Sequence, residues 1–268
     1  MLKDITLGQY FPGNSIAHKL DPRTKILLVT LYIIALFSAK GWMGYAVMAV
    51  TLAACVKVSH VGLRALVRGL KPLVFIIAFT GILNMFFTPD THYLWEWGIL
   101  RVSVKGIENA LFMVIRIMLL VMGTFLMTYT TSPIRLTDGL ESLLNPLKKI
   151  HVPVHELAMM MTIALRFIPT LIEETDKIMS AQKARGADFD SGNIFQKAKA
   201  LVPILVPLFI SAFRRADELA TAMECRCYHG GEGRTKLHVL KYQRRDYIAL
   251  AGGAVILALV VVLRRLGI

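Results

Sequence analysis

Five apolar runs, at residues 26–39, 42–58, 73–87, 111–129 and 247–263, decide what this chain can fold into. A backbone held in hydrocarbon must satisfy its own N–H and C=O groups, and separate runs of this length do so as helices. Several fall short of the roughly 20 residues of a full crossing, so their helices borrow flanking residues. Of the 268 residues, 55 % are hydrophobic, and the mean hydropathy of +0.56 is too high for a soluble domain of this size. The expected fold is an all-α integral membrane protein with about five transmembrane helices, completed by a cytoplasmic region of three amphipathic helices.

Loop charge orients the helices. Lys57, Arg64, Arg68 and Lys71 lie between the second and third runs with no acidic residue among them, whereas Ser38-Ala39-Lys40-Gly41 joins the first two. The positive-inside rule puts that basic loop, and with it the N-terminus, in the cytoplasm. Residues 88–105 then lie outside, where Tyr93, Trp95 and Trp97 suit the membrane interface. Arg264 and Arg265 follow the last run and argue against this order, so the side of the C-terminus stays open. A sixth crossing within 152–166 or 201–210 would reverse it, but those pieces are short and interrupted by Pro169, Pro203 and Pro207. The expected division is 1–130 with four spans, a cytoplasmic region over 131–245, and a last span over 246–268.

Lys plus Arg exceed Asp plus Glu by 31 − 18 = 13. That excess sits between apolar runs and lacks the basic, aromatic-interleaved pattern of a nucleic-acid binder, so it reads as orientation and partner docking. Cys55, Cys225 and Cys227 offer neither an easily bridged pair nor a zinc set, and reduced thiols are expected. The N-terminal residues, with Lys3, Asp4, Pro12 and Asn14, have no secretory signal, and the expectation is that they are retained.

Residues 131–245 carry most of the charge. Ser132-Pro133 is an N-cap with Pro at the first helical position, followed by Leu140, Leu143, Leu144 and Leu147 at helical spacing up to the Asn145-Pro146 step. A second amphipathic helix, 165–185, puts Ile168, Leu171, Ile172, Ile178 and Met179 on one side, against Glu173, Glu174, Asp176, Lys177 and Gln182. A third lines up Leu205, Leu208, Phe209, Ala212, Ala216, Leu219, Ala220 and Met223, with Arg214, Arg215, Asp217, Glu218 and Glu224 facing away.

The search for chemistry is mostly negative, and neither a catalytic residue nor a metal site is expected. Gly230-Gly231-Glu232-Gly233-Arg234-Thr235 lacks the Gly-Lys-Ser/Thr ending of a phosphate loop and reads as a turn. An intramembrane metalloprotease using Glu173 and Glu174 is the best enzyme alternative. It lacks ligands, because His92 is outside and His151 and His155 fall on a Pro-flanked connector. Asp21-Pro22-Arg23-Thr24-Lys25 is first of all a helix start. Arg116 inside the fourth run needs a partner, either Glu108 two turns earlier or another chain. The 13 methionines, Met159-Met160-Met161 among them, suit an adaptable surface or a core equally.

The tripeptides Ala184-Arg185-Gly186 and Cys225-Arg226-Cys227 repeat at an offset of 226 − 185 = 41, and Asp176 with Asp217 and Ala181 with Ala222 keep the same offset. One Arg at a helix end is an ordinary complement to the helix dipole. Two in one context point to gripping two similar partners. Small residues on both sides let the backbone approach a groove while the planar guanidinium takes a buried carboxylate in two-pronged fashion.

With His18-Lys19-Leu20-Asp21-Pro22-Arg23-Thr24-Lys25 before the first run, the Ala-Arg-Gly motif, and a second x-Arg-x motif followed by Gly230-Gly231 and Gly233-Arg234-Thr235, the chain resembles the transmembrane T component of energy-coupling factor vitamin transporters. The match spans the chain. The resemblance implies a non-catalytic subunit of a prokaryotic cell-membrane importer of the ABC class. Two cytoplasmic ATPases, which carry ATP and Mg, would dock beneath it, and a substrate-binding membrane S component would pack beside it and reorient. It assigns ATPase docking to Ala184, Arg185, Gly186, Cys225, Arg226 and Cys227, and makes the apolar helix stripes a sliding surface. Cys225 and Cys227 depart from Ala and Gly but remain small. A stand-alone permease is the other alternative; the vitamin or ion is not legible.

Overall fold

Asp21 starts the first helix as its sequence predicts: its carboxylate accepts the Arg23 N–H at 2.9 Å, and Pro22 takes the first helical position. The computed structural model describes residues 10–88, 93–97, 100–187, 189, 193–231 and 239–266. His92, Lys3 and Asp4, and the Glu232 to Thr235 part of the glycine-rich segment, lie outside the described residues.

Among these residues the helices are α1 (Pro22–Ser38), α2 (Gly41–Ser59), α3 (Leu63–Leu70), α4 (Val74–Phe87), α5 (Val104–Thr130), α6 (Pro133–Leu144), α7 (Val154–Ala184), α8 (Ile194–Glu224) and α9 (Arg244–Leu266). A 3-10 turn, Lys71–Leu73, links α3 to α4, and another, Asn145–Ile150, follows α6. The segment read as interfacial contains a small antiparallel hairpin, β1 (Tyr93–Trp97) and β2 (Leu100–Ser103), an exception to the otherwise helical fold. Ser103 ends it and caps α5, accepting the Gly106 N–H at 2.9 Å.

By length and composition five helices can cross a membrane: α2, the continuous stretch Leu63–Phe87, α5, α7 and α9. The number matches the sequence reading, but the membership differs. At 17 residues α1 falls short of that length, while α7 and α8 are each 31 residues long and run through Pro169, Pro203 and Pro207. The prolines therefore do not interrupt these segments, as the sequence reading expected. A proline removes one N–H and leaves the carbonyl four residues back without its helical donor. Where two prolines sit four apart, Pro207 cannot serve the Pro203 carbonyl, and the side-chain amide of Gln182 on α7 donates to it instead, at 3.3 Å.

The chain divides into two units. One holds Gly8–Leu140 with Leu240–Ile268. Its buried centre draws Leu36 from α1, Met48 and Leu52 from α2, Leu66 from α3, Leu119 from α5 and Val260 from α9. Around it Phe75, Phe79, Val50, Ile248 and Val255 are exposed, an apolar exterior fit for lipid. Tyr32 lies so close to α5 that a Cβ on Gly123 would fall 2.4 Å from its ring, and its hydroxyl donates to the Leu119 carbonyl at 2.9 Å. Arg116 does not turn to Glu108: its Nε and Nη2 donate to the Tyr45 hydroxyl on α2, at 2.9 and 2.6 Å. The guanidinium also lies 5.7 Å from the centre of the Phe37 ring.

The His18 to Lys25 motif is built into this unit. His18 contacts the Ser15 hydroxyl through Nδ1 at 2.6 Å and the Phe11 carbonyl through Nε2 at 3.0 Å. Buried Lys25 donates to the Thr130 carbonyl at 2.8 Å, closing the C-terminal end of α5, and to the Thr131 hydroxyl at 3.0 Å. Asp246, 1 % exposed, accepts the Asp21 N–H at 2.9 Å and the Gln243 N–H at 2.8 Å, tying the starts of α1 and α9 together. Arg23 pairs with Asp21 and stacks over Tyr242, 4.3 Å from its ring centre.

Candidate functional site

The second unit, Glu141–Val239, carries both arginine motifs, and each proves to be a helix C-cap of one design. At the end of α7 the Gly186 N–H returns to the Lys183 carbonyl at 3.0 Å and the Ala187 N–H to Gln182 at 3.0 Å. At the end of α8 the Cys227 N–H returns to Glu224 at 2.8 Å and the Tyr228 N–H to Met223 at 3.1 Å. Both are Schellman caps, which need a left-handed residue after the last turn. Gly186 supplies it with φ 87° and Cys227 with φ 55°. Cysteine takes that conformation at a steric cost that glycine escapes.

The 41-residue repeat of the sequence is therefore a repeat of structure. Ser180 donates its hydroxyl to the Asp176 carbonyl at 2.8 Å, and Thr221 does the same to Asp217 at 2.9 Å, each at matching positions. The outcome is two exposed tripeptides, Ala184-Arg185-Gly186 and Cys225-Arg226-Cys227, each with its Arg at the turn where the helix stops. A cation there complements the free carbonyl ends, and both tripeptides lie open to solvent.

Helices α7 and α8 run antiparallel. The Glu174 carboxylate accepts Arg215 Nη2 at 2.8 Å and also the Ser211 hydroxyl, and eight residues further along α7 Gln182 reaches Pro203. Because residue numbers rise on one helix as they fall on the other, Arg185 and Arg226 point from opposite ends of the pair. On α7 the stripe residues Ile168, Leu171, Ile172, Ile178 and Met179 are half-buried, as are Leu208, Ala212, Leu219 and Met223 on α8. Leu205, Phe209 and Ala216 are exposed instead, beside exposed Val202, Val206, Ile210 and Phe213. The first half of α8 thus bares a broad apolar face.

The residues of the hydrolase alternative do not converge. His155 lies in the first turn of α7, not on a connector, with Nδ1 at 3.0 Å from Glu141 Oε1. Gly231 packs against its ring so closely that a Cβ there would sit 2.4 Å from it. Glu174 is 174 − 155 = 19 residues further along the same helix, about 28 Å away at 1.5 Å per residue. Among the described residues no three His, Cys, Asp or Glu side chains gather as a metal site. Sequence reasoning missed the Glu174–Arg215 contact, although its own repeat offset held the clue.

Comparison with known proteins gives the chain a family. Residues 13–237 match the model of the CbiQ family, described as cobalt transport protein. A protein named energy-coupling factor transporter transmembrane protein EcfT in Ruminiclostridium cellulolyticum is 55 % identical over 248 residues, 92 % of each chain. The protein of that name in Clostridium kluyveri is 57 % identical over 93 % of each chain. The one in Bacillus subtilis is 46 % identical over 98 % of this chain and 100 % of its own.

Proposed function

This chain belongs to the CbiQ family and is the energy-coupling transmembrane component of an energy-coupling factor transporter, and from that premise we propose that Arg185 and Arg226 are the points where two cytoplasmic ATPase subunits dock. The observation that carries the reading is the pair of matched, exposed caps at opposite ends of α7 and α8. Each guanidinium enters a groove on one ATPase and takes a carboxylate there, which small neighbours at 184, 186, 225 and 227 permit. ATP and Mg are bound by those partners, and this chain performs no hydrolysis. Closing of the ATPases moves the two caps, and the helix pair passes that motion to a substrate-binding membrane S component, using the bared apolar face of α8. The long apolar helices hold the chain in the cell membrane with the N-terminus in the cytoplasm, as the loop charges favour.

The test is a detergent pull-down of tagged protein from its own membrane, wild type beside the Arg185→Glu, Arg226→Glu double variant, with ATPase activity measured in each eluate. Each reversal is expected to cost about 2 to 5 kcal/mol of docking, since the partner carboxylate is left buried and repelled. ATPase in the wild-type eluate alone supports the reading. ATPase retained equally by the double variant refutes the docking assignment.

A further inference from the structure

We infer that the Glu174–Arg215 ion pair is the pivot of the α7–α8 crossing, a positioning contact that holds the two exposed arginines at matched reach and couples the movement of one helix end to the other. The inference rests on the docking reading for what the arginines do, and on geometry alone for the pivot. The two residues are 215 − 174 = 41 apart, the offset that relates the two caps. In two antiparallel helices related by an approximate two-fold axis, a residue meets its own counterpart only where that axis passes. The pair therefore marks the axis.

Distances along the chain agree. Arg185 is 185 − 174 = 11 residues beyond the pair on α7, and Arg226 is 226 − 215 = 11 residues beyond it on α8. At 1.5 Å per residue each cap lies about 16 Å from the pair, on opposite sides. A rotation about that point swings both arginines through equal arcs.

The chemistry also departs from strict repetition where a pivot requires it. Two copies of one helix would set Glu against Glu at the axis and repel. Here Glu173 and Glu174 are answered by Arg214 and Arg215 at the equivalent positions. Ser211 adds a second donor from α8 to the same carboxylate, so Glu174 is gripped through both oxygens. Side-chain exposure is 22 % for Glu174 and 37 % for Arg215, so the contact is partly shielded from water. Further along the pair, Gln182 to the Pro203 carbonyl is a single neutral bond at 3.3 Å.

The test measures the separation of the helix ends in the complex as purified from membranes. Spin labels are attached through genetically encoded azide side chains at exposed Lys183 and Glu224, themselves counterparts 41 residues apart. One narrow distance population is expected for the wild-type crossing. Glu174→Gln or Arg215→Gln should broaden it about twofold by removing the charge-assisted contact, and Glu174→Arg with Arg215→Glu should narrow it again. Should a single variant fail to fold, Ser211→Ala, which removes only one donor, takes its place with broadening again expected. Widths unchanged in the single variants, or a reversed pair that stays broad, overturn the pivot. Absence of ATPase subunits from the wild-type complex would instead sink the docking reading, and the width comparison still decides the pivot.

Discussion

Cys227 shows at residue scale how a motif can be legible while its cost is not. The sequence marks it as a small neighbour of Arg226, but only the backbone reveals φ 55° at a position where the companion cap has Gly186. Replacing Cys227 with Gly should therefore stabilise the protein by about 0.5 to 1 kcal/mol, the left-handed penalty less the added freedom of the unfolded chain. Thermal unfolding in detergent measures it, and a loss of stability would show that the thiol makes a contact worth more than the strain. Asp21 was readable as an N-cap because its partner is two residues away. Asp246 was not, because its partner at Asp21 is 225 residues distant. Asp246→Ala should cost about 1 to 3 kcal/mol, since the buried Asp21 N–H and the part-buried Gln243 N–H lose their acceptor, and the same unfolding measurement applies.

Proline was the main obstacle at the scale of elements. Read alone, Pro169, Pro203 and Pro207 break apolar segments, and the rule behind that reading is sound for an isolated helix. At Pro207 it failed because the neighbouring helix supplies a donor: Gln182 answers the Pro203 carbonyl that Pro207 leaves free. Pro207→Ala returns an N–H to that carbonyl and should make Gln182 redundant there. In a double-mutant cycle, Gln182→Ala is expected to cost about 1 kcal/mol in the native background and under about 0.5 kcal/mol beside Pro207→Ala. Equal costs in both backgrounds would mean that the amide's role lies elsewhere. The apolar and amphipathic patterns did place most helices, since periodicity reports a face. Which helix that face meets depends on residues far away, which is why the sequence offered Arg116 only Glu108 on its own helix or another chain, and not Tyr45 on α2.

For the whole molecule, hydropathy marked a membrane protein, and the repeat marked two similar helix ends. What stayed hidden was that the repeat is also an axis: Glu174, first noticed as a possible hydrolytic carboxylate, is half of the contact from which both arginines are equally distant. On the docking reading, α7 and α8 supply two matched handles and one linkage between them. The most direct test of the docking claim puts a photo-crosslinking residue at Ala184 in one sample and at Cys225 in another, irradiates native membranes, and identifies what is captured. Capture of an ATPase subunit from each position is the predicted result. Capture of lipid alone, or of no ATPase from either position, would contradict it.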